Sequence, residues 1–396
     1  MKLEKRCCRA VNSLNNRIIL PGQTIGIIGG GQLGRMMALS AKASGFKIAV
    51  LEPGKNGPCA QVADYEINGA YDDLEALQQL AEVSDIITYE FENISSEALD
   101  WLKEHAYLPQ GSELLKVTQD RLTEKQAIEK AGVEVAPYRE IRDFADIEAA
   151  IEDLGYPAVL KTARGGYDGK GQLVIKGRSD LQHADKLLRQ GVCVMEAWIP
   201  FTKEISVIVT RSTNGEIRHF PPAENIHVDN ILHKSIVPAR ISGKAAERAI
   251  AQAYRLAEEM GLVGTLAVEM FLTEGDGILI NELAPRPHNS GHYTMEACET
   301  SQFEQHVRAV CSWPLGNTEL LKPVVMVNIL GEHLKPLLAE IPERKDWKVH
   351  LYGKAEAKLK RKMGHVNILR PTAEEALQES EQSRIWKQQV ETEDVL

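Results

Sequence analysis

No stretch of the 396-residue chain carries an apolar run long enough to cross a bilayer. The opening MKLEKRCCRAVNSLNN lacks the apolar centre and cleavage-like segment of a secretory leader, and residues 1–16 read as a disordered extension outside the fold. Positive charge is in short supply: 46 Lys and Arg stand against 56 Asp and Glu, a net charge of −10. That balance argues against a general DNA or RNA binder, while leaving room for a local basic pocket around a small anion. Cysteine is sparse, at 7, 8, 59, 193, 298 and 311, with no CxxC and no His at zinc-finger spacing. These read as reduced, incidental thiols of a cytoplasmic protein, and nothing favours a catalytic one. With 6% aromatics, 30 Gly and 17 Pro, collagen-like and low-complexity chains are excluded. What is present is globular composition, 43% apolar and 26% charged, enough for two or three domains with buried cores.

From Thr24 onward strand-like and helix-like segments alternate. Thr24–Ile28, Lys47–Leu51 and Asp85–Tyr89 read as strands, and Gln32–Ser44, Leu74–Ala81 and Ser96–Glu104 as helices. Alternation of this kind predicts a parallel sheet covered on both faces, over residues 17–120. Helices over Thr123–Ala131 and Phe144–Leu154, with β-rich runs Tyr156–Thr162 and Gln172–Lys176, predict a small α+β unit over 121–198. The remainder, 199–396, mixes strands at Ile205–Thr210, Thr265–Phe271, Gly277–Glu282, Val324–Leu330, Trp347–Tyr352 and His365–Leu369 with helices at Gly243–Met260 and Phe303–Cys311. The fold class expected is therefore α/β plus α+β.

Two glycine-rich loops carry chemistry. Gly29-Gly30-Gly31-Gln32-Leu33-Gly34 fits G-x-G-x-x-G, follows a strand and opens a helix, with Glu52 ending the next strand. Bare backbone and a helix N-terminus suit a phosphate. A dinucleotide, an unliganded tight turn and a phosphate-bearing substrate all fit this turn, and the third is favoured. The second loop, Arg164 to Gly171, is not a Walker A loop, because Gly169-Lys170 is followed by Gly171. Between two β-runs it reads as a hairpin flap whose backbone and Lys170 could fold over phosphates, or as a merely flexible turn. Lys161, inside the apolar run PAVLK, favours the flap, since a buried lysine needs an anionic partner.

Acidic residues supply the third signal. Val268-Glu269-Met270-Phe271 and Leu279-Ile280-Asn281-Glu282-Leu283 flank a strong turn sequence, Thr273 to Gly277. A two-residue loop on Gly275-Asp276, or a four-residue loop from Glu274 to Gly277, puts Glu269 opposite Glu282, with Cβ atoms about 5 Å apart. Two carboxylates so placed call for a cation, and oxygen-only ligands point to Mg²⁺ with Asn281 as a neutral addition. A turn on Asp276-Gly277 would oppose Glu269 to Ala284 instead, and a solvated edge pair needs no metal. Downstream, Arg286, His288, Asn289 and His292 share one loop suited to oxyanions, and Lys354 with Lys360-Arg361-Lys362 concentrates positive charge.

Together IGIIGGGQLGRMM, TYEFENI, LKTARGGYDGKGQ, NELAPRPHNSGHYT and RKMGHVNIL resemble the ATP-grasp superfamily and, within it, the N5-carboxyaminoimidazole ribonucleotide synthetases, from about residue 18 to residue 370. The resemblance implies an ATP-grasp fold: a Rossmann-like amino-terminal domain, a small α+β lid and a larger carboxyl-terminal α+β domain. It also implies an ATP- and bicarbonate-dependent ligase of purine biosynthesis, cytoplasmic and homodimeric, acting through carboxyphosphate. Nucleotide contacts carry over to Arg121, Lys161, the flap Gly166, Tyr167, Asp168, Gly169, Lys170, Gly171 and Gln172, the hinge Glu196, Ala197, Trp198 and Ile199, then Glu204, His227, Asn281 and Glu282. Metal contacts fall on Glu269 and Glu282. The ribonucleotide pocket would draw on Gly31, Gln32, Leu33, Glu90, Glu92, Arg286, His288, Asn289, Ser290, Lys354 and Arg361, with Arg286, Asp168, Lys161 and Tyr167 nearest the chemistry. Lys360 departs from the pattern, standing where many relatives have Gly. A formate-using glycinamide ribonucleotide transformylase, a dehydrogenase built on GGGQLG, and a non-catalytic nucleotide-binding regulator are the rival readings.

Overall fold

The computed structural model describes residues 17–166 and 170–386. Among them the strands form three sheets. Tyr65–Asn68, Lys47–Glu52, Thr24–Ile28 and Ile86–Tyr89 lie side by side in that order, all parallel. The apolar runs on Thr24–Ile28 and Ile86–Tyr89 are buried throughout, which a parallel strand covered on both faces requires. Helix starts follow their capping residues: Asp73 accepts from the N–H groups of Glu75 and Ala76, and Ser95 from that of Ala98.

The second sheet is antiparallel, in the order Tyr138–Ile141, Cys193–Ala197, Ala158–Thr162, Gln172–Ile175. Its core is Ile141, Ile147, Leu160, Ile175 and Met195. Ala158–Thr162 and Gln172–Ile175 pair directly, so the second glycine-rich loop is a hairpin connection as expected. Tyr167, Asp168 and Gly169 lie outside the described residues.

The third sheet runs Ile278–Ala284, Gly264–Leu272, Lys203–Arg211, Ala223–Val228, Ile231–Val237, Val324–Leu330, Lys362–Leu369, Lys348–Leu351, with Ile217–His219 also on Lys203–Arg211. Ala223–Val237 and the helices Gly331–Glu340 and Ala373–Gln382 were not expected from the sequence. Helix Gly243–Glu259 buries Ala245, Ala249, Ala253 and Leu256 against Val207, Val268, Met270 and Ile280, and Ile128 of helix Arg121–Lys130 joins that core. A separate core ties the first unit to the last: Leu33, Met36 and Met37 pack with Phe303, Val307, Val310 and Tyr352. These two cores hold the glycine turn and the third sheet on opposite sides of one cleft.

Candidate active site

Strand Gly264–Leu272 alternates strictly. Val268, Met270 and Leu272 enter the core, so Glu269 and Phe271 face the cleft. Glu269 is paired with Glu282, as expected, but by a different route. The loop is the three residues Glu274–Asp276, closed by the Thr273 N–H donating to Gly277 O at 2.9 Å, and it sets Leu272 opposite Ile278. In that register Glu269 would meet Asn281. An extra residue on the second strand, between the Met270–Ile280 and Glu269–Glu282 pairs, shifts the partner to Glu282 and turns Asn281 and Glu282 both into the cleft. The bulge is held from outside the hairpin: the Ile280 N–H donates to Glu134 O, and the Leu283 N–H to the Glu124 carboxylate at 2.8 Å.

Burial and then the Glu282 charge push the Glu269 carboxyl up to about 8. Glu282 goes the other way, because Arg121 (3.4 Å) and Lys161 outweigh its own desolvation. His288 Nε2 lies 3.4 Å from Glu269 Oε1, but burial and the adjacent Arg286 keep that imidazole well below its ordinary pKa and hence neutral. Glu204 Oε2 lies 2.5 Å from His227 Nδ1, and its charge holds the imidazole pKa up against the effect of burial. An all-oxygen set of Glu269, Glu282 and Asn281, with one carboxyl driven to retain its proton, fits a hard divalent cation.

One cleft of about 910 Å³ gathers most of the expected residues. Its lining includes Gly31, Gln32, Leu33, Glu90 and Glu92, then Arg121, Lys161, Gly166, Lys170, Gly171, Gln172, Trp198, Glu204, His227, Glu269, Asn281 and Glu282, and also Arg286, His288 and Asn289. Arg286 Nε sits 2.8 Å from Glu92 Oε1. Other residues fall outside the lining. Glu196, Ala197 and Ile199 do so, although Trp198 in the same hinge is present. Ser290 is fully buried and bonded to Ser206. Lys354 turns its ammonium to Lys362 O at 2.7 Å, and Arg361 donates to Glu356 O, while Lys362 itself reaches the cleft. Lys360 has φ +61°, a left-handed conformation that explains why glycine suits that position.

Two of the expected phosphate contacts have partners within the chain. The N–H groups of the first glycine turn are already taken: Gly31 and Gly34 donate to Glu90, and Gly30 to Glu52 at 2.6 Å. A phosphate using those three donors would displace buried carboxylates and be repelled by them. Lys161 does have an anionic partner, but it is Glu196, at 2.8 Å. The residues sequence reasoning missed are Glu124, Lys125 and the apolar lining Val159, Val174, Phe201, Leu232 and Phe271. Phe201 stacks on Phe271 at 4.8 Å. The alternation that places Glu269 also places Phe271; Glu124 and Lys125 had no signal beyond a charged helix.

A hairpin flap, a strand lysine, a hinge and facing acids on a bulged hairpin around one cleft define an ATP-grasp enzyme. Family models agree: an ATP-grasp domain matches residues 126–303, a ribonucleotide synthetase preATP-grasp domain 22–119, and a phosphoribosylaminoimidazole carboxylase C-terminal domain 324–379. The chain is 59% identical to N5-carboxyaminoimidazole ribonucleotide synthase of Bacillus subtilis (strain 168), over 92% of this chain and 96% of that protein. The solved ADP complex of an N5-carboxyaminoimidazole ribonucleotide synthetase superposes with a TM-score of 0.92 at 62% identity, covering 94% and 98% of the two chains. An Aspergillus clavatus N5-carboxyaminoimidazole synthase solved with ADP and 5-aminoimidazole ribonucleotide gives 0.85 at 32%, covering 90% and 96%. The chain belongs to the N5-carboxyaminoimidazole ribonucleotide synthase family, ATP-dependent ligases that form a C–N bond.

Proposed function

We propose that this protein carboxylates the exocyclic amine of 5-aminoimidazole ribonucleotide, using ATP and bicarbonate and releasing ADP and phosphate. The observation that carries this reading is that one cleft is lined both by Glu269, Glu282, Lys161 and the flap base, assigned as its nucleotide end, and by Gly31–Leu33, Glu90, Glu92 and Arg286, assigned as its ribonucleotide end. ATP occupies the nucleotide end, with adenine in the apolar lining by the Glu196–Ile199 hinge, ribose hydroxyls on Glu204, and phosphates under Arg121, Lys161 and the flap, to whose sequence Tyr167, Asp168 and Gly169 also belong. Mg²⁺ held by Glu269, Glu282 and Asn281 would offset the charge of the phosphates.

Bicarbonate oxygen attacks the γ-phosphorus and ADP departs, leaving carboxyphosphate. Arg286 holds that dianion, and the amine then attacks its carboxyl carbon as phosphate leaves and the amine loses a proton. Lys161 and Arg121 stabilise charge spreading over the transferring group. Flap closure excludes water from an intermediate that hydrolyses readily. Lys362, which lines the cleft, would take the ribose phosphate, with Lys354 and Arg361 adding positive charge beside it and His288, Asn289 and Ser290 shaping the loop beneath. Membership of this family is what supports a cytoplasmic homodimer.

The test is ADP release measured with each candidate ribonucleotide and small acid. Release requiring bicarbonate and aminoimidazole ribonucleotide together is expected. Release with formate and glycinamide ribonucleotide instead, or oxidation of NADH, overturns the reading.

A further inference from the structure

Lys125, on helix Arg121–Lys130, is 1% exposed. A lysine so deep is costly unless its charge is met. Its ammonium lies 3.1 Å from Glu196 Oε1 and 5.6 Å from the Tyr138 ring centre, with no hydrogen bond of good geometry among the described residues. Glu196 is itself 3% exposed, and its other oxygen, Oε2, accepts from Lys161. Two lysines therefore share one carboxylate, one on each oxygen, and one cation is sufficient to neutralise it. The two differ in where they lie: Lys161 lines the cleft and Lys125 does not.

We propose that Lys125 is a positioning residue that keeps Glu196 neutralised, so that Lys161 can leave the carboxylate and bind the nucleotide's phosphates. Without Lys125, every movement of Lys161 toward a phosphate would strip a buried carboxylate of its remaining lysine. Nucleotide binding would then be opposed by the Lys161–Glu196 pair itself. This role rests on the reading that ATP phosphates lie over Lys161.

Calorimetric titration of the full-length protein with ADP tests it, alongside the KM for aminoimidazole ribonucleotide and the melting temperature. Lys125→Met should weaken ADP binding about tenfold or more, with the ribonucleotide KM changing less than about twofold. Lys125→Arg, which keeps the charge, should stay within about threefold of the wild type. Glu196→Gln removes the need for a counter-ion, so the double variant K125M/E196Q should bind ADP as E196Q alone does, and better than K125M. A K125M protein that melts lower yet binds ADP normally, or a double variant weaker than E196Q, overturns the proposal. The second comparison decides the matter even where K125M alone does not fold. Lys161→Met separates this from the underlying reading: unchanged ADP affinity there removes the phosphates from Lys161, whereas loss there without loss in K125M removes only the role of Lys125.

Discussion

At the glycine turn, Glu52 and Glu90 are met by the N–H groups of Gly30, Gly31 and Gly34 and by the Tyr71 hydroxyl, all supplied by the fold. At the bulged hairpin, Glu269 and Glu282 face each other with one long contact each, Glu269 to a neutral His288 and Glu282 to Arg121 at 3.4 Å. Glu90 of the first pair and both acids of the second line the same cleft. The first pair is saturated and shapes the backbone; the second is left with lone pairs to spare and a retained proton, which suits the proposed cation site and not a purely structural role.

Replacing Glu282 with Ala attacks the unsaturated pair directly. Bicarbonate-dependent ADP release should fall roughly 10³-fold or more, because the charge offset at the transferring phosphate is lost. Ligand-free stability should change far less, since Glu269 is relieved of its like-charged neighbour. Near-normal turnover in Mg²⁺ would remove the metal assignment and with it the contrast between the two pairs.

Glu196 offers a charge-compensated acid, paired with Lys125 and Lys161 beside the proposed nucleotide end, so it sharpens the comparison by pH. Burial alone would raise its carboxyl, but Lys161, Lys125 and Arg121 hold it down at about 2, below the ordinary 4.5. A depressed acid contributes stability above its unfolded value, and that contribution fades as pH falls from about 4.5 toward about 2. Urea unfolding should show Glu196→Gln less stable than wild type at pH 7, by on the order of 3 kcal/mol, with the two converging near pH 2. A constant difference across that range would mean the triad is not titrating as a unit.

How legible these acids were differs from one to the next. The facing of Glu269 and Glu282 could be read from alternation beside a turn, yet the loop that forms would by itself have paired Glu269 with Asn281. The bulge that restores the pair is fixed by Glu134 and Glu124, distant in sequence, and no local pattern encodes it. The glycine turn was legible as a turn, whereas its occupants Glu52 and Glu90 come from the ends of two other strands. Ala223–Val237 went unread because Glu224, Asn225, His227, Lys234 and Ser235 interrupt the alternation. All five are met only in the folded chain: Glu224 by Lys203 and Arg240, Asn225 by Ser206 and Ser235, His227 by Glu204, and Lys234 by Ser380.

Gly29→Val strains the saturated pair. Gly29 has φ +107°, and a Cβ there would lie 2.4 Å from Glu90 Cγ and 2.8 Å from Phe91 Cδ1, both residues of the cleft wall. The KM for aminoimidazole ribonucleotide should rise roughly tenfold, with that for ATP rising less than about threefold. A larger rise for ATP would place the nucleotide at this turn and reverse the roles of the two ends.

The gentlest probe removes a single donor. Tyr71 donates to Glu52 Oε2, the oxygen that also accepts the Gly30 N–H at 2.6 Å. Tyr71→Phe keeps the ring contact with Phe91, 4.5 Å between centroids, while deleting the hydroxyl. Unfolding free energy should drop by about 1 kcal/mol, the net worth of one such bond. The Gly30 donor stays in place, so Glu52 should keep its position and both KM values should change less than about twofold. If the ribonucleotide KM instead rises tenfold with stability unaltered, Glu52 is contacting substrate through that oxygen. The glycine turn would then be a ligand-binding acid site like the hairpin, and the distinction between a saturated and an unsaturated pair would fail.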